Sequence, residues 1–173
     1  RQKREKKSLS SYTESDPDLP TVTVQLPIYN ELFVVDRLLD NITKLQYPKD
    51  KLEIQVLDDS TDETLEHVRE RVAHFKNQGF DIHYIHRENR EGYKAGALKN
   101  GLRFSTGQYV AIFDADFLPE PEFLLKALPY FDKPEIAVVQ TRWGHINEDY
   151  SLLTQLQAFQ LNVHFTIEQA GRC

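Results

Sequence analysis

"KLEIQVLDDSTDETLEHVRERVAHFKNQGFDIHYIH", Lys51 to His86, is the stretch that decides the fold. Its first nine residues, KLEIQVLDD, are a β-rich apolar run that ends in two acids. Thr61 or Asp62 then caps a helix running to about Asn77, with Leu65, Val68, Val72 and Phe75 as its apolar stripe. Gly79 closes that helix, and FDIHYIH, Phe80 to His86, is the next strand. Strand, helix and strand in succession point to parallel neighbours joined by a crossover helix.

The same alternation continues outward. Upstream, TVTVQLPIYN, Thr21 to Asn30, reads as a strand punctuated by Pro27 and Asn30. A helix follows from Glu31 to Gln46, with Phe33, Val34, Leu38, Leu39, Ile42 and Leu45 at helical spacing, and Tyr47-Pro48 stops it. Downstream, a helix is expected from Tyr93 to Phe104 despite Gly96 and Gly101, then a strand over QYVAIFDAD, Gln108 to Asp116. PEPEFLLKALPYF, from Pro119, suits a helix with prolines in its first turn, and EIAVVQT, Glu135 to Thr141, suits a fifth strand. A last amphipathic helix spans Ser151 to Gln169. The pattern predicts an α/β fold, a mostly parallel sheet with helices on both faces, over residues 21–173. Residues 1–20 read as a basic tail and a polar, turn-rich linker.

Bulk properties narrow the function. A length of 173 residues allows one real core, and the net charge of -6 argues against a nucleic-acid partner. Charge is uneven: the first eight residues carry five basic groups against one acid. Such a head is either a solvated tail or a segment held near anionic lipid. No run of about 18 apolar residues occurs that would span a membrane. The single cysteine, Cys173, has no internal disulfide partner, and the chain, which lacks methionine, reads as a fragment.

Three predicted strands end in polar clusters: Tyr29-Asn30-Glu31, Asp58-Asp59-Ser60 and Asp114-Ala115-Asp116. One acid at such a place caps a helix or forms a turn. Three clusters at one edge of one sheet converge where α/β sheets bind ligands. Carboxylates there accept hydrogen bonds from a base or a ribose, and a close carboxylate pair holds Mg²⁺ or Mn²⁺ together with diphosphate oxygens. Between the clusters lies RENREGYKAGALKNGL, Arg87 to Leu102, whose Gly92 and Gly96 permit close backbone approach. Arg90 and Lys94 offer cations to phosphate, although the P-loop spacing is absent.

"QLPIYNE", "VLDDSTDET", "REGYKAGALKNGL", "FDADFLPEPEFL" and "AVVQTRWGHINEDYSLLTQLQAFQLNVHF", in this order, resemble glycosyltransferase family 2. Within it the chain is most similar to the cellulose-synthase-like branch, near the plant synthases of mannan and xyloglucan backbones. The resemblance implies a GT-A fold and an inverting transfer from a nucleotide-diphospho-sugar, UDP-glucose or GDP-mannose, to a growing glycan or a lipid acceptor. It implies that Tyr29 and Glu31 border the base, that Asp58 contacts uracil or ribose with Asp59 beside it, and that Lys94 approaches the diphosphate. Asp114 would face the nucleotide, and Asp116 the metal.

The family's Thr-Glu-Asp element, which carries the catalytic base, and its Gln-x-x-Arg-Trp acceptor motif do not occur; "QTRW", Gln140 to Trp143, has one residue too few. The base is therefore expected beyond Cys173, and the isolated chain is expected to bind donor without transferring sugar. The resemblance further implies a membrane-integral parent with this domain on the cytoplasmic face. A non-processive transferase of the same family is the nearest alternative. A Mg²⁺-binding receiver domain fits less well, because its acid pair follows the first strand rather than the second. His83 and His86, three apart on a strand, face opposite ways and are read as structural.

Overall fold

The computed structural model describes residues 12–141. Four strands form one sheet: β1 (Val22–Ile28), β2 (Leu52–Asp58), β3 (Asp81–His86) and β4 (Tyr109–Ile112). Their order is β3-β2-β1-β4, and each pairing is parallel. The intervening helices are α1 (Leu32–Ile42), α2 (Thr64–Asn77) and α3 (Tyr93–Leu102), and a short α4 (Phe123–Ala127) follows β4. The expected α/β architecture with a parallel sheet is the observed one.

Register aligns the functional ends. Ile28 lies opposite Asp58, and Asp58 opposite His86, so β1, β2 and β3 finish level with one another. One face of the sheet is apolar: Val22, Val24, Leu26, Ile54 and Val56 pack with Val35, Leu38, Leu39 and Ile42 of α1 and with Val68, Val72 and Phe75 of α2. Full burial of each such aliphatic side chain contributes roughly 1.5–3 kcal/mol.

The other face, under α3, is polar and yet sealed. Thr23, Gln25, Glu53 and Gln55 are all buried there. Gly101 of α3 lies so close that a Cβ would come within 2.6 Å of Gln25 Nε2. Buried polar groups need partners, and the strip with Thr106 supplies most of them, Gln25 Oε1 being left without one among the described residues. Gln25 Nε2 donates to Gln55 Oε1 at 3.0 Å, and Gln55 Nε2 donates to Glu53 Oε1 at 2.9 Å. Glu53 Oε2 accepts from the Thr23 hydroxyl at 2.6 Å and from the Thr106 amide and hydroxyl, both at 2.8 Å. The strip thereby anchors the loop that follows α3, where the Gly107 amide also donates to Thr23 Oγ1 at 2.9 Å.

Several boundaries differ from expectation for identifiable reasons. β4 stops at Ile112 instead of reaching Asp116. Phe113 still donates its amide to Gln25 carbonyl at 3.2 Å, but the next β1 residue facing β4 is Pro27, which has no N–H to continue the ladder. The helix expected from Pro119 is only five residues long and passes at Leu128 into a 3-10 turn containing Pro129. The fifth strand is not formed: residues 136–141 have no regular structure, and Val138 is 81% exposed. Apolar alternation there has no ladder partner among the described residues, and propensity without pairing does not make a strand. Phe33, placed by spacing on the buried stripe of α1, is instead exposed.

Residues 12–20, expected as linker, lie against the domain. Leu19 is buried, Lys51 Nζ donates to the Pro17 and Leu19 carbonyls at 2.6 and 2.9 Å, and Tyr47 hydroxyl donates to Pro20 carbonyl at 2.5 Å. The chain divides into two compact units, residues 1–132 and 133–173. The helix expected at Ser151–Gln169, together with Arg142 and Trp143, lies outside the described residues. Among the described residues no helix is long and apolar enough to cross a membrane.

Glu53 offers a test of the polar strip. Burial pushes its carboxyl upward, but the donors from Thr23, Thr106 and Gln55 outweigh burial and hold it below the ordinary carboxylate range. A carboxyl lowered by folding stabilises above its unfolded value, and that stability is lost as pH falls through the lowered folded value. Glu53→Ala strands four donors and should cost on the order of 3 kcal/mol in urea unfolding at neutral pH. Glu53→Gln should cost less and flatten the acid limb of the stability profile.

Candidate functional site

The loops after β1 and β2 are laced together. Asn30 adopts a left-handed conformation with φ of 53°, which asparagine tolerates better than most residues. In that conformation its amide donates to Ser60 Oγ at 2.8 Å, and its Oδ1 accepts the Thr61 amide at 2.9 Å. The Asp59 amide completes the lacing by donating to Ile28 carbonyl at 3.0 Å.

The two acids after β2 are both engaged. Asp58 is fully buried; its Oδ1 accepts the Ser60 amide at 2.9 Å and its Oδ2 accepts the Tyr84 hydroxyl at 3.0 Å. Burial and the charge of Asp58 push the Tyr84 hydroxyl well above its ordinary value. His86 Nδ1 donates to the Asp58 carbonyl at 2.9 Å, and His83 pairs with Asp81 on β3, so both histidines serve the scaffold. Asp58, expected to contact base or ribose, is thus placed with both carboxylate oxygens hydrogen-bonded inside the protein.

Asp59, at 6% exposure, is gripped at both oxygens by Arg87: Nε donates to Oδ1 at 2.8 Å and Nη2 to Oδ2. The remaining Arg87 donors reach the Glu91 carbonyl at 3.0 Å and the Tyr93 carbonyl at 3.1 Å. Sequence reasoning passed over Arg87. The available signal was its place, directly after β3 and at the same edge as the acid pair.

Arg87 thereby holds the loop that leads into α3. Gly92 and Tyr93 both have positive φ, 70° and 51°. A Cβ on Gly96 would lie 1.9 Å from Glu91 carbonyl oxygen, so only glycine lets the loop fold this tightly. The bend carries Arg90 over the Tyr29 ring, 3.3 Å from its centroid, with Tyr93 at 5.2 Å on the same guanidinium. It also aims Lys94, in the first turn of α3, at Asp114 Oδ1, with which it pairs.

Where β4 leaves the sheet, Ala115 packs inward and Asp114 and Asp116 remain outside the core. Phe113, Phe117 and Phe123 brace this loop, with ring centroids 5.0 to 6.3 Å apart. The result is an open cleft of about 390 Å³ lined by Glu31, Phe33, Lys94, Asp114 and Asp116 over a floor of Pro27, Val34 and Ala115. Desolvation and the charges of Asp116 and Asp114 push the Glu31 carboxyl above its ordinary value, despite a Tyr29 hydrogen bond and Lys94.

The donor set is entirely carboxylate oxygen, which suits a hard divalent cation. Among the described residues no three ligands are grouped closely enough to hold a metal alone. The arrangement fits a cation that takes one or two carboxylates and completes its shell with water and phosphate oxygens. Tyr29, Glu31, Lys94, Asp114 and Asp116 thus gather at the sheet edge, whereas Asp58 and Asp59 are buried, the first bonded to Ser60 and Tyr84 and the second paired with Arg87.

Removing Arg87 leaves the buried Asp59 charge unpaired, which typically costs roughly 3–5 kcal/mol. Arg87→Met should lower the urea midpoint accordingly, and Arg87→Lys should recover only part, because an ammonium cannot reproduce the fork. Glu31→Gln should raise the thermal midpoint at pH 8 and leave it unchanged at pH 3. The raised carboxyl opposes folding only once it ionises.

The sequence profile described as glycosyl transferase family 2 matches residues 23–172. Glucomannan 4-beta-mannosyltransferase 2 of Arabidopsis thaliana is 47% identical over 157 residues, 88% of this chain and 29% of its own length. Glucomannan 4-beta-mannosyltransferase 1 of Oryza sativa subsp. japonica is 43% identical over 166 residues, 90% of this chain and 32% of its own. The chain thus spans about a third or less of these curated relatives. Among solved structures, the mannosyltransferase PcManGT from Pyrobaculum calidifontis, in complex with GDP-Man and Mn²⁺, is 37% identical. It superposes with a TM-score of 0.62, over 73% of this chain and 37% of that one. S. aureus TarS 1-349 is 27% identical with a TM-score of 0.56, over 65% and 32%. With sequence and backbone in agreement over most of its length, the chain carries the GT-A fold and belongs to glycosyl transferase family 2.

Proposed function

We propose that the chain is the donor-binding part of an inverting mannosyltransferase that builds a β-linked glycan from GDP-mannose. The observation that carries this reading is the cleft itself, where Glu31, Lys94, Asp114 and Asp116 meet at the carboxyl edge of a parallel sheet. Support for the sugar comes from the relatives, which are named glucomannan mannosyltransferases, and from the similar solved enzyme that holds GDP-Man and Mn²⁺.

In this reading Tyr29 and Glu31 border the base, and Asp58 and Asp59 set the shape of the base pocket from below. Asp116, with Asp114, holds Mn²⁺ or Mg²⁺. Bound there, the cation would neutralise charge on the departing diphosphate. Lys94 adds a cation on the side of α3, and the apolar floor of Pro27, Val34 and Ala115 limits water beneath the diphosphate. No residue of this chain is assigned the removal of the acceptor proton, so donor binding and sugar transfer separate: the chain binds, and transfer needs the base-bearing element. In the same proposal the parent is a membrane protein with this domain on the cytoplasmic side, and a growing glycan is the acceptor.

Calorimetry on the 173-residue chain tests the reading. GDP-mannose should bind in Mn²⁺ and lose at least about tenfold in affinity, near 1.4 kcal/mol, with EDTA or in Asp116→Asn. UDP-glucose should bind more weakly than GDP-mannose, and mannose release should be negligible. Equal binding with and without metal would sink the carboxylate assignment, and preference for UDP-glucose would sink the sugar.

A further inference from the structure

Lys94 occupies a position that the proposed chemistry makes contested. Its ammonium sits on Asp114 Oδ1, one of the carboxylates assigned to the divalent cation. An ammonium and a dication repel each other and cannot share one carboxylate edge at contact distance. Lys94 is also the sole cation among the described residues lining a cleft that holds three carboxylates. It therefore accounts for all of the local neutralisation that Glu31, Asp114 and Asp116 receive from side chains of the cleft.

The surroundings let this side chain move while its backbone stays fixed. Arg87 bonds the Glu91 and Tyr93 carbonyls immediately before Lys94, and Gly96 is locked against Glu91. The Lys94 side chain itself is 51% exposed and has a flexible four-carbon stem, and its partner Asp114 is 34% exposed. Rotation about the stem carries the ammonium off Asp114 toward the open cleft without disturbing the fold.

We propose that Lys94 is an internal counter-ion that couples metal binding to donor binding. While it rests on Asp114, it weakens the hold of the two aspartates on a dication. A nucleoside diphosphate gives the ammonium a better partner, so Lys94 transfers to the phosphate oxygens and releases the Asp114 edge. Metal and donor then bind cooperatively, and linkage requires each to raise the affinity of the other by the same factor. The inference rests on the donor-site reading above and adds an order to it: metal is held firmly only after the diphosphate has taken the lysine away. A plain phosphate-binding lysine would leave the affinity for metal alone unaffected.

The test measures Mn²⁺ binding by the electron-spin-resonance signal of free Mn²⁺, with and without GDP, on the 173-residue chain and its variants. Lys94→Met keeps the length of the stem without the charge. It should bind Mn²⁺ alone about tenfold more tightly than the parent chain, while the gain in Mn²⁺ affinity on adding GDP shrinks by a similar factor. Lys94→Arg, which keeps the charge, should retain weak binding of Mn²⁺ alone. Circular dichroism confirms that each variant is folded. If Lys94→Met leaves the affinity for Mn²⁺ alone unchanged or lowers it, while Mn²⁺ and GDP still bind together, the counter-ion role is wrong and the donor site stands. If the folded parent chain and the Met variant both fail to bind Mn²⁺ even with GDP, the donor-site reading falls, and the coupling falls with it.

Discussion

The site depends on one buried ion pair. Arg87 and Asp59 join the end of β2 to the loop that starts α3, and the Asp59 amide ties the same point to β1. A pair this sheltered recovers its desolvation cost only through good geometry, and here the fork is bidentate, with the spare donors placed on two carbonyls. The value of the pair is positional. Every group that α3 brings to the cleft, Lys94 above all, is placed by a loop that Arg87 closes.

A second constraint is Pro27. By ending the β1–β4 ladder it lets the strand stop at Ile112, four residues before the expected end at Asp116. The loop that follows sits on a brace of three phenylalanines rather than on main-chain hydrogen bonds. Asp114 and Asp116 consequently line a cleft with Pro27 instead of standing on a continued strand. The carboxylates are aimed by an interruption of regular structure, and the interruption is written into the neighbouring strand.

The polar strip beneath α3 belongs to the same logic. The buried residues of α3 are Ala97 and Gly101, too little apolar surface to dock the helix by apolar contact alone. Glu53, Gln55, Gln25 and Thr23 lie under it as a hydrogen-bonded layer, Gly101 approaches that layer closely, and Glu53 and Thr23 anchor the loop that follows the helix through Thr106 and Gly107. A helix that must present a cation at a set place gains from an anchored exit loop.

Much of this was legible in advance. Alternating strands and helices, the acids at the strand ends and the glycines before α3 are local patterns, and period and turn chemistry are properties of short stretches of chain. The order of elements, the parallel sheet and the edge at which Tyr29, Glu31, Lys94, Asp114 and Asp116 gather followed from those patterns. Partnership did not, because it depends on which residues meet across the fold. Asp58 and Asp59 look alike in sequence, yet one ends on Tyr84 and the other on Arg87, and both leave the surface. Phe33 satisfied helical spacing but faces the cleft, and Ile136 to Thr141 has strand composition but no ladder to join among the described residues. Composition and spacing determined what the chain builds and where ligands approach it. Tertiary structure alone decided which charges stay free to meet a ligand, since burial and pairing arise between segments distant in sequence.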